Sequence, residues 1–534
     1  MKKVFEKLQG INGIVLSIYL AVIGVFSMYF SVAGISGMST AVKLLLTLIA
    51  GAVALTAGPF LVKKIRPFRL PGADEDYLHS KKRFYFAAGV WIAAFLVFLP
   101  NYIAYYPGAI INDAATQFGQ AVSGQYWNEH PLIHTFLSFT VPLKLTGGWA
   151  GSIALIQMLL FCSVICYIYV VLARLVNYKL ALGVAAFLIL NPITGKMSIH
   201  PLKDSPMALC AAVLVLCALQ IYYSRGEWLR SPRHIFLLAF SFSMATMVRH
   251  NGILFTLPVA VGIVLSTKDW KSILKTAGII VVMFLAVRVG LYQVLNSESA
   301  DNWNLQTLGL PLTIIGNVVV ESPDSLDEET REFVYAFAPQ ETWEKYYVCG
   351  NFNNLRRSGE VDLELVEEYG RGAIIKMAIS CIEREPVLSF KAFLYLTKVV
   401  YLLDPGDAFY EITWEVEEYQ AVPYQGSLQM KAVVDGYSHV FYNTPLKYIF
   451  CYIGVMNVLV IICICGKIRL NVFEDWKRLF SCVAILTYNF ATMLMLTGSD
   501  DRFFYLSFFT APLLAIFALK GEASLPAAGA EENA

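Results

Sequence analysis

Charge is scarce in this 534-residue chain. Only 15% of its residues are Asp, Glu, Lys or Arg, where soluble domains carry about a quarter. The mean hydropathy is +0.57. That balance excludes a soluble globular protein and points to the membrane. A net charge of +1 supplies no basic field for nucleic acid. No Gly-rich nucleotide loop, HExxH helix or internal repeat is present. The ten cysteines show no zinc-ribbon spacing. Eight of them lie in or beside apolar runs, where a thiol behaves as a small hydrophobe. Cys349 and Cys381 stand apart, and the sequence leaves open whether they pair.

Long apolar runs are what the chain has in abundance. At about 20 residues per crossing, spans are expected near residues 11–35, 41–62, 84–104, 148–173, 180–198, 206–223, 234–248, 252–267, 272–293, 445–466, 478–497 and 503–519. The expected fold is therefore an all-α polytopic membrane protein of about 12 transmembrane helices. The first run is too long for a signal-peptide core and reads as a retained span. "MKKVFEK", "KKIRPFRL…SKKR", "ARLVNYK", "SRGEWLRSPR", "STKDWKSILK", "GKIRL…DWKR" and Lys520 then share one face. Under the positive-inside rule that face is the cytoplasm, with both termini on it. "HPLIHTFLSFTVPLKL" (130–145) is expected to lie at the outer interface. Residues 387–403, which carry Lys391 and Lys398, are expected to form an external amphipathic helix.

Charge sign divides the chain. Residues 294–443 hold 24 acidic and 10 basic residues, and the remainder holds 16 and 31. An acidic block between basic, span-rich portions predicts an extracytoplasmic domain inserted before the last three spans. The expected organisation is a bundle over 1–293, with a large first outer loop at 105–147, and the acidic domain at 294–443. The C-terminal spans follow at 444–520, and a disordered cytoplasmic tail at 521–534.

On this topology the chemically able residues gather outside. Asp113, Glu129, His130 and His134 lie in the first outer loop, and His200, Lys203 and Asp204 in the next. Arg249 and His250 follow, then Asp500, Asp501 and Arg502. Arg288 is the main charge left within a span, and no function attaches to it. Intramembrane charge marks ion-coupled transport, so its scarcity favours chemistry at the outer boundary. Lys203, Arg249 and Arg502 can hold a lipid phosphate, and a nearby carboxylate can take a proton from an acceptor hydroxyl.

"YYPGAIINDAATQ", "EHPLIHT", "HPLKDSPMAL", "MVRHNGILF" and "SDDRFFYLSFF" together resemble the outer-loop punctuation of GT-C glycosyltransferases. The likeness is to the clan of protein O-mannosyltransferases and bacterial aminoarabinose transferases, with an uncharacterised bacterial branch nearest. The resemblance implies a GT-C-like bundle in the cell envelope and inverting transfer of a sugar from a polyprenyl-phosphate donor. The acceptor would be a glycan, lipid or protein. Asp113 takes the place of the loop-one catalytic base, and Asp204 orients the acceptor or cooperates with it. Lys203, Arg249 and Arg502 would neutralise the departing phosphate, with Gln117, His130, His250 and Asp501 beside the substrate. The usual Pro-Pro is His130-Pro131 here, Lys203 directly precedes Asp204, and the acidic domain lies mid-chain. No metal ligands are assigned, and a requirement for a divalent cation stays open.

Plainer roles compete with each assignment. Asp113 can cap its helix through the N–H of Ala115 or Thr116. His130 and His134, at i and i+4, suit a structural pair or, with a third ligand, zinc. Lys203 and Asp204 can be a solvated pair, Glu129 a surface group, and Arg249 and Arg502 snorkelling anchors. A lipid-linked glycan polymerase or ligase, or a transporter or flippase, is the alternative reading of the whole.

Overall fold

The computed structural model describes residues 10–31, 38–111, 113–298, 307–405, 421–470 and 472–520. Helices dominate throughout, and the described residues contain no β-strand, only isolated bridges. That is the expected outcome for apolar runs: in lipid only a helix satisfies every backbone polar group within its own segment. The proposed tail, 521–534, lies outside the described residues.

Among the described residues six helices are long and apolar enough to cross a membrane: Ala41–Ile65, Lys82–Ala104, Gly151–Leu175, Asp204–Tyr223, Trp270–Val294 and Asp501–Leu519. Phe473–Cys482 and Ala484–Met495, bent by 49° to each other, would make a seventh if they form one span. The fold is thus that of a polytopic membrane protein by helix length and composition, and twelve crossings are more than the helices establish. Part of the difference has a physical cause in local chain breaks that an apolar run conceals. Asn191 divides the expected span 180–198, its carboxamide accepting from Ile193 N–H at 2.9 Å and donating to Phe450 O at 2.8 Å. Two helices result, Tyr178–Leu190 and Pro192–Met197. Ile253–Ser266 and Ile453–Lys467 are likewise short apolar helices. At 1.5 Å per residue each spans only about 20 Å.

Burial orders the long helices. Asp204–Tyr223 and Asp501–Leu519 are 72% and 78% enclosed by protein, against 17% for Ala41–Ile65 and 11% for Trp270–Val294. The first two are the axis of the bundle. The last two turn Leu44, Leu48, Val281 and Leu285 outward, which is favourable only against lipid. Segment 130–145 forms the apolar helical stretch Leu132–Leu145, too short to cross.

Residues 308–392 of the acidic block have a core of their own, in which Trp343 stacks obliquely with Phe337 and Phe352. The helix Pro386–Tyr401 joins this unit, called the outer unit after the side that charge sign predicts for it, to the bundle. Its Ala392 belongs to the outer core, whereas Leu396, Val399 and Val400 belong to the bundle's. Cys349 and Cys381 are both free thiols.

Candidate active site

Four chain segments far apart in sequence converge at one end of the axial helices. The first is 105–111, buried almost throughout. Ala109 N–H donates to Ile199 O at 3.1 Å, and Ala421 N–H donates to Ile110 O at 3.1 Å. Gly108 allows the close approach. Its φ is +130°, and a Cβ there would sit 2.6 Å from the Ala154 methyl. Held between these neighbours, the segment delivers Asp113 as the first residue of the helix Asp113–Ser123.

The second segment is pinned by Gln157, whose amide donates to Met197 O at 2.8 Å and His200 O at 2.7 Å. It ends with Lys203 as the N-cap of Asp204–Tyr223 and Asp204 in its first turn, so both acids stand where the helix dipole favours negative charge. The third is the turn after Pro232–Met247, tight because a Cβ at Gly252 would lie 2.0 Å from Ala245 O. It brings in Arg249. The fourth is capped by Asp500, which accepts from Arg502 N–H at 3.0 Å and sets Arg502 beside the others.

The side chains form a connected charge network. Lys203 Nζ donates to Asp113 Oδ2 at 3.3 Å and to His130 Nδ1 at 3.2 Å. Arg502 reaches Asp113 Oδ2 at 3.7 Å and Asp500 Oδ2 at 2.9 Å. Arg249 pairs with buried Asp204 and donates to Phe503 O at 3.3 Å. The Arg249 and Arg502 guanidinium groups lie 4.8 and 4.9 Å from the centre of the Phe503 ring. Asp113 bonds to no N–H of its own helix among the described residues, so its contacts are those of a charge partner and not of a cap.

Electrostatics follows from this packing. Burial pushes the Asp113 pKa up, but the charges of Arg502 and then Lys203 outweigh it and hold the carboxyl well below its ordinary range. Lys203 is depressed by burial, against the pull of Asp113. Burial, then the Lys203 charge, lowers His130 to about 4. It is therefore neutral at pH 7, and because Lys203 can only donate, Nδ1 accepts and Nε2 carries the proton.

The remaining expected residues divide. Gln117 is buried one turn along from Asp113, its amide donating to His134 Nδ1 and Thr135 Oγ1, both at 2.9 Å. His250 is exposed among the charges of Lys203, Arg288 and Arg249. Asp501 is buried, its charge felt by Tyr442 and Cys451. Among the described residues no cluster of three or more His, Cys, Asp or Glu side chains is placed to hold a metal ion.

Sequence reasoning missed Arg356. It closes the helix Phe352–Arg356 of the outer unit, and the charges of Glu129 and Asp113 act on it. The available signal was "RR" at 356–357, the one pair of adjacent bases in the acidic block. The assembled site holds a carboxylate between cations beside an apolar bundle. Such a site can grip an anion and accept a proton. The chain matches no known protein family, no curated protein and no solved structure.

Proposed function

We propose that the chain is a GT-C-type glycosyltransferase, moving a sugar from a polyprenyl-phosphate donor to the hydroxyl of a glycan, lipid or protein acceptor. The reaction takes place at the outer face of the plasma membrane. In this reading the bundle crosses the bilayer about twelve times, both termini are cytoplasmic and the acidic block lies outside.

One observation carries the proposal: Asp113 lies between Lys203 and Arg502, at 3.3 and 3.7 Å. The acceptor O–H gives its proton to the Asp113 carboxylate as the oxygen attacks the anomeric carbon from the face opposite the phosphate. The carbon–oxygen bond to the phosphate breaks, and its electron pair leaves with the lipid phosphate, inverting the centre. Lys203, Arg249 and Arg502 stabilise that developing charge, an effect worth most where water is scarce. With its cations upon it Asp113 is a weak base. An arriving phosphate competes for Lys203 and Arg502, so donor binding itself restores basicity to the carboxylate. Asp204, held by Arg249, keeps that guanidinium in place.

The test is transfer from radiolabelled polyprenyl-phosphate sugars by the purified chain, wild type against Asp113→Asn. Loss of transfer with donor binding retained supports the general-base role, and undiminished transfer ends it.

A further inference from the structure

The outer unit packs against the chain that leads into the site. Asn353 N–H donates to Thr497 O at 3.2 Å, and Asn351 forms an isolated antiparallel bridge with Gly498. Gly498 is closely covered: a Cβ there would lie 2.5 Å from Asn351 Oδ1 and 2.8 Å from Asn353 Nδ2. Two residues beyond Gly498, Asp500 begins the turn that holds Arg502 against Asp113. The helix Phe352–Arg356 is therefore latched to the same turn that builds the site. Its Phe352 and Leu355 are sunk in the outer core, so its orientation is fixed from behind.

Arg356 is the cation this latch delivers. It is half-buried, and its side chain makes no hydrogen bond or ion pair with any described residue. Lys203 and Arg502 lean on Asp113, Arg249 on Asp204, and Arg502 also on Asp500. Lys203, Arg249 and Arg502 thus each have a carboxylate in contact, and among the described residues Arg356 has none. Burial and the like charge of Arg357 lower the Arg356 pKa, while Glu129 and Asp113 act to raise it. A guanidinium kept partly out of water with no contacting acid has unspent capacity for a bidentate anion. It arrives from the outer unit and not from the bundle, so it is separate from the cluster that would hold the phosphate bonded to the sugar.

We propose that Arg356 binds a second phosphate on the substrate, making a diphosphate-linked donor the preferred class. This rests on the glycosyl-transfer reading above and narrows its donor. The probes are a polyprenyl monophosphate and the matching diphosphate, titrated onto the full chain in neutral phosphatidylcholine nanodiscs. Inorganic phosphate and pyrophosphate serve as soluble arms.

Wild type is expected to bind the diphosphate roughly 10-fold more tightly than the monophosphate, the scale of one charge-assisted contact. Arg356→Gln should reduce that preference to within about twofold while leaving monophosphate affinity in place. Arg357→Gln, on the exposed neighbour, should keep it. An Arg356→Gln protein that still prefers diphosphate, or a wild type without preference, overturns the inference and leaves the reaction standing. If wild type ignores both lipids yet selects pyrophosphate through Arg356, the anion site stands and the lipid-linked donor falls. Binding of none of the four probes removes both.

Discussion

Two carboxylates of the site differ in what their loss should do. Asp113 keeps a quarter of its side-chain surface exposed, whereas Asp204 keeps 2%. Asp113→Asn should therefore fold normally and lower transfer by roughly 100- to 10,000-fold, the usual worth of a general base. Arg249→Gln leaves Asp204 as a buried uncompensated charge and should destabilise by about 3–5 kcal/mol. Adding Asp204→Asn should recover much of that loss, and a thermal-unfolding cycle of the four proteins measures the recovery. The buried imidazoles predict a pH response of definite sign. His134 is pushed down to about 3 by burial and then by the Lys203 charge, and His130 to about 4. Unfolded imidazoles take up protons below about 6.5, which these folded ones resist. Their stabilisation is complete above that pH and declines as pH falls toward 4. The unfolding midpoint should drop across this window, and His134→Gln should flatten the drop. Most site residues were legible because charge stands out in an apolar sequence. Asp113, Lys203, Asp204, Arg249 and Arg502 all interrupt or end apolar runs. Arg356 was not legible because it sits among charges of the outer unit, where one base pair carries little contrast. The burial of Asp501 was equally hidden, since Asp500, Asp501 and Arg502 are adjacent and only the backbone decides which side chain is enclosed.

Elements position these groups through contacts that a glycine alone permits. Gly108 combines a left-handed backbone with 2.6 Å of clearance to the Ala154 methyl. Gly108→Ala meets both a steric clash and an unfavourable φ, and it acts five residues before Asp113. Lower transfer together with a lower unfolding temperature is expected, since the displaced segment 105–111 is itself buried. Restoring space with Ala154→Gly should return part of the activity, because the clash is removed and the backbone cost is not. No return at all would show that the methyl contact is not what sets the segment's position. Helices as such were legible from apolar runs, and their ends were not. Asn191 is one polar letter in a hydrophobic stretch, yet its carboxamide supplies both the cap and the cross-link to Phe450 that stop the helix. Segment 387–403 shows the reverse. Its two lysines suggested an exposed helix, and Lys391 does pair outward with Glu321 at 3.0 Å, but the opposite side fills the junction between two cores.

The whole molecule sets an enclosed helical axis under a compact outer unit, with the charge network at their meeting point. Helix number and direction are properties of this scale, and a run of apolar letters constrains them poorly. Against twelve expected crossings, six helices among the described residues have the length, or seven with the bent pair. Helices such as Tyr178–Leu190 and Ile253–Ser266 fall short of that length, and where they end depends on packing that no local pattern encodes. Charge asymmetry is the more robust guide, because the cytoplasmic bias of Lys and Arg acts on whole loops. It predicts that the outer unit and the 267–269 turn lie on opposite sides. Glu360 and Lys268 are exposed representatives of the two. In intact cells a membrane-impermeant maleimide should label Glu360→Cys strongly and Lys268→Cys only after permeabilisation, with wild type reporting any reaction of native cysteines. The site is attached to the outer unit through Asn351, Asn353 and Gly498. Labelling of residue 360 confined to opened cells would consequently place Asp113 and its cations on the cytoplasmic side. An acceptor outside the cell could not then reach the carboxylate, and the proposed reaction would have to be abandoned.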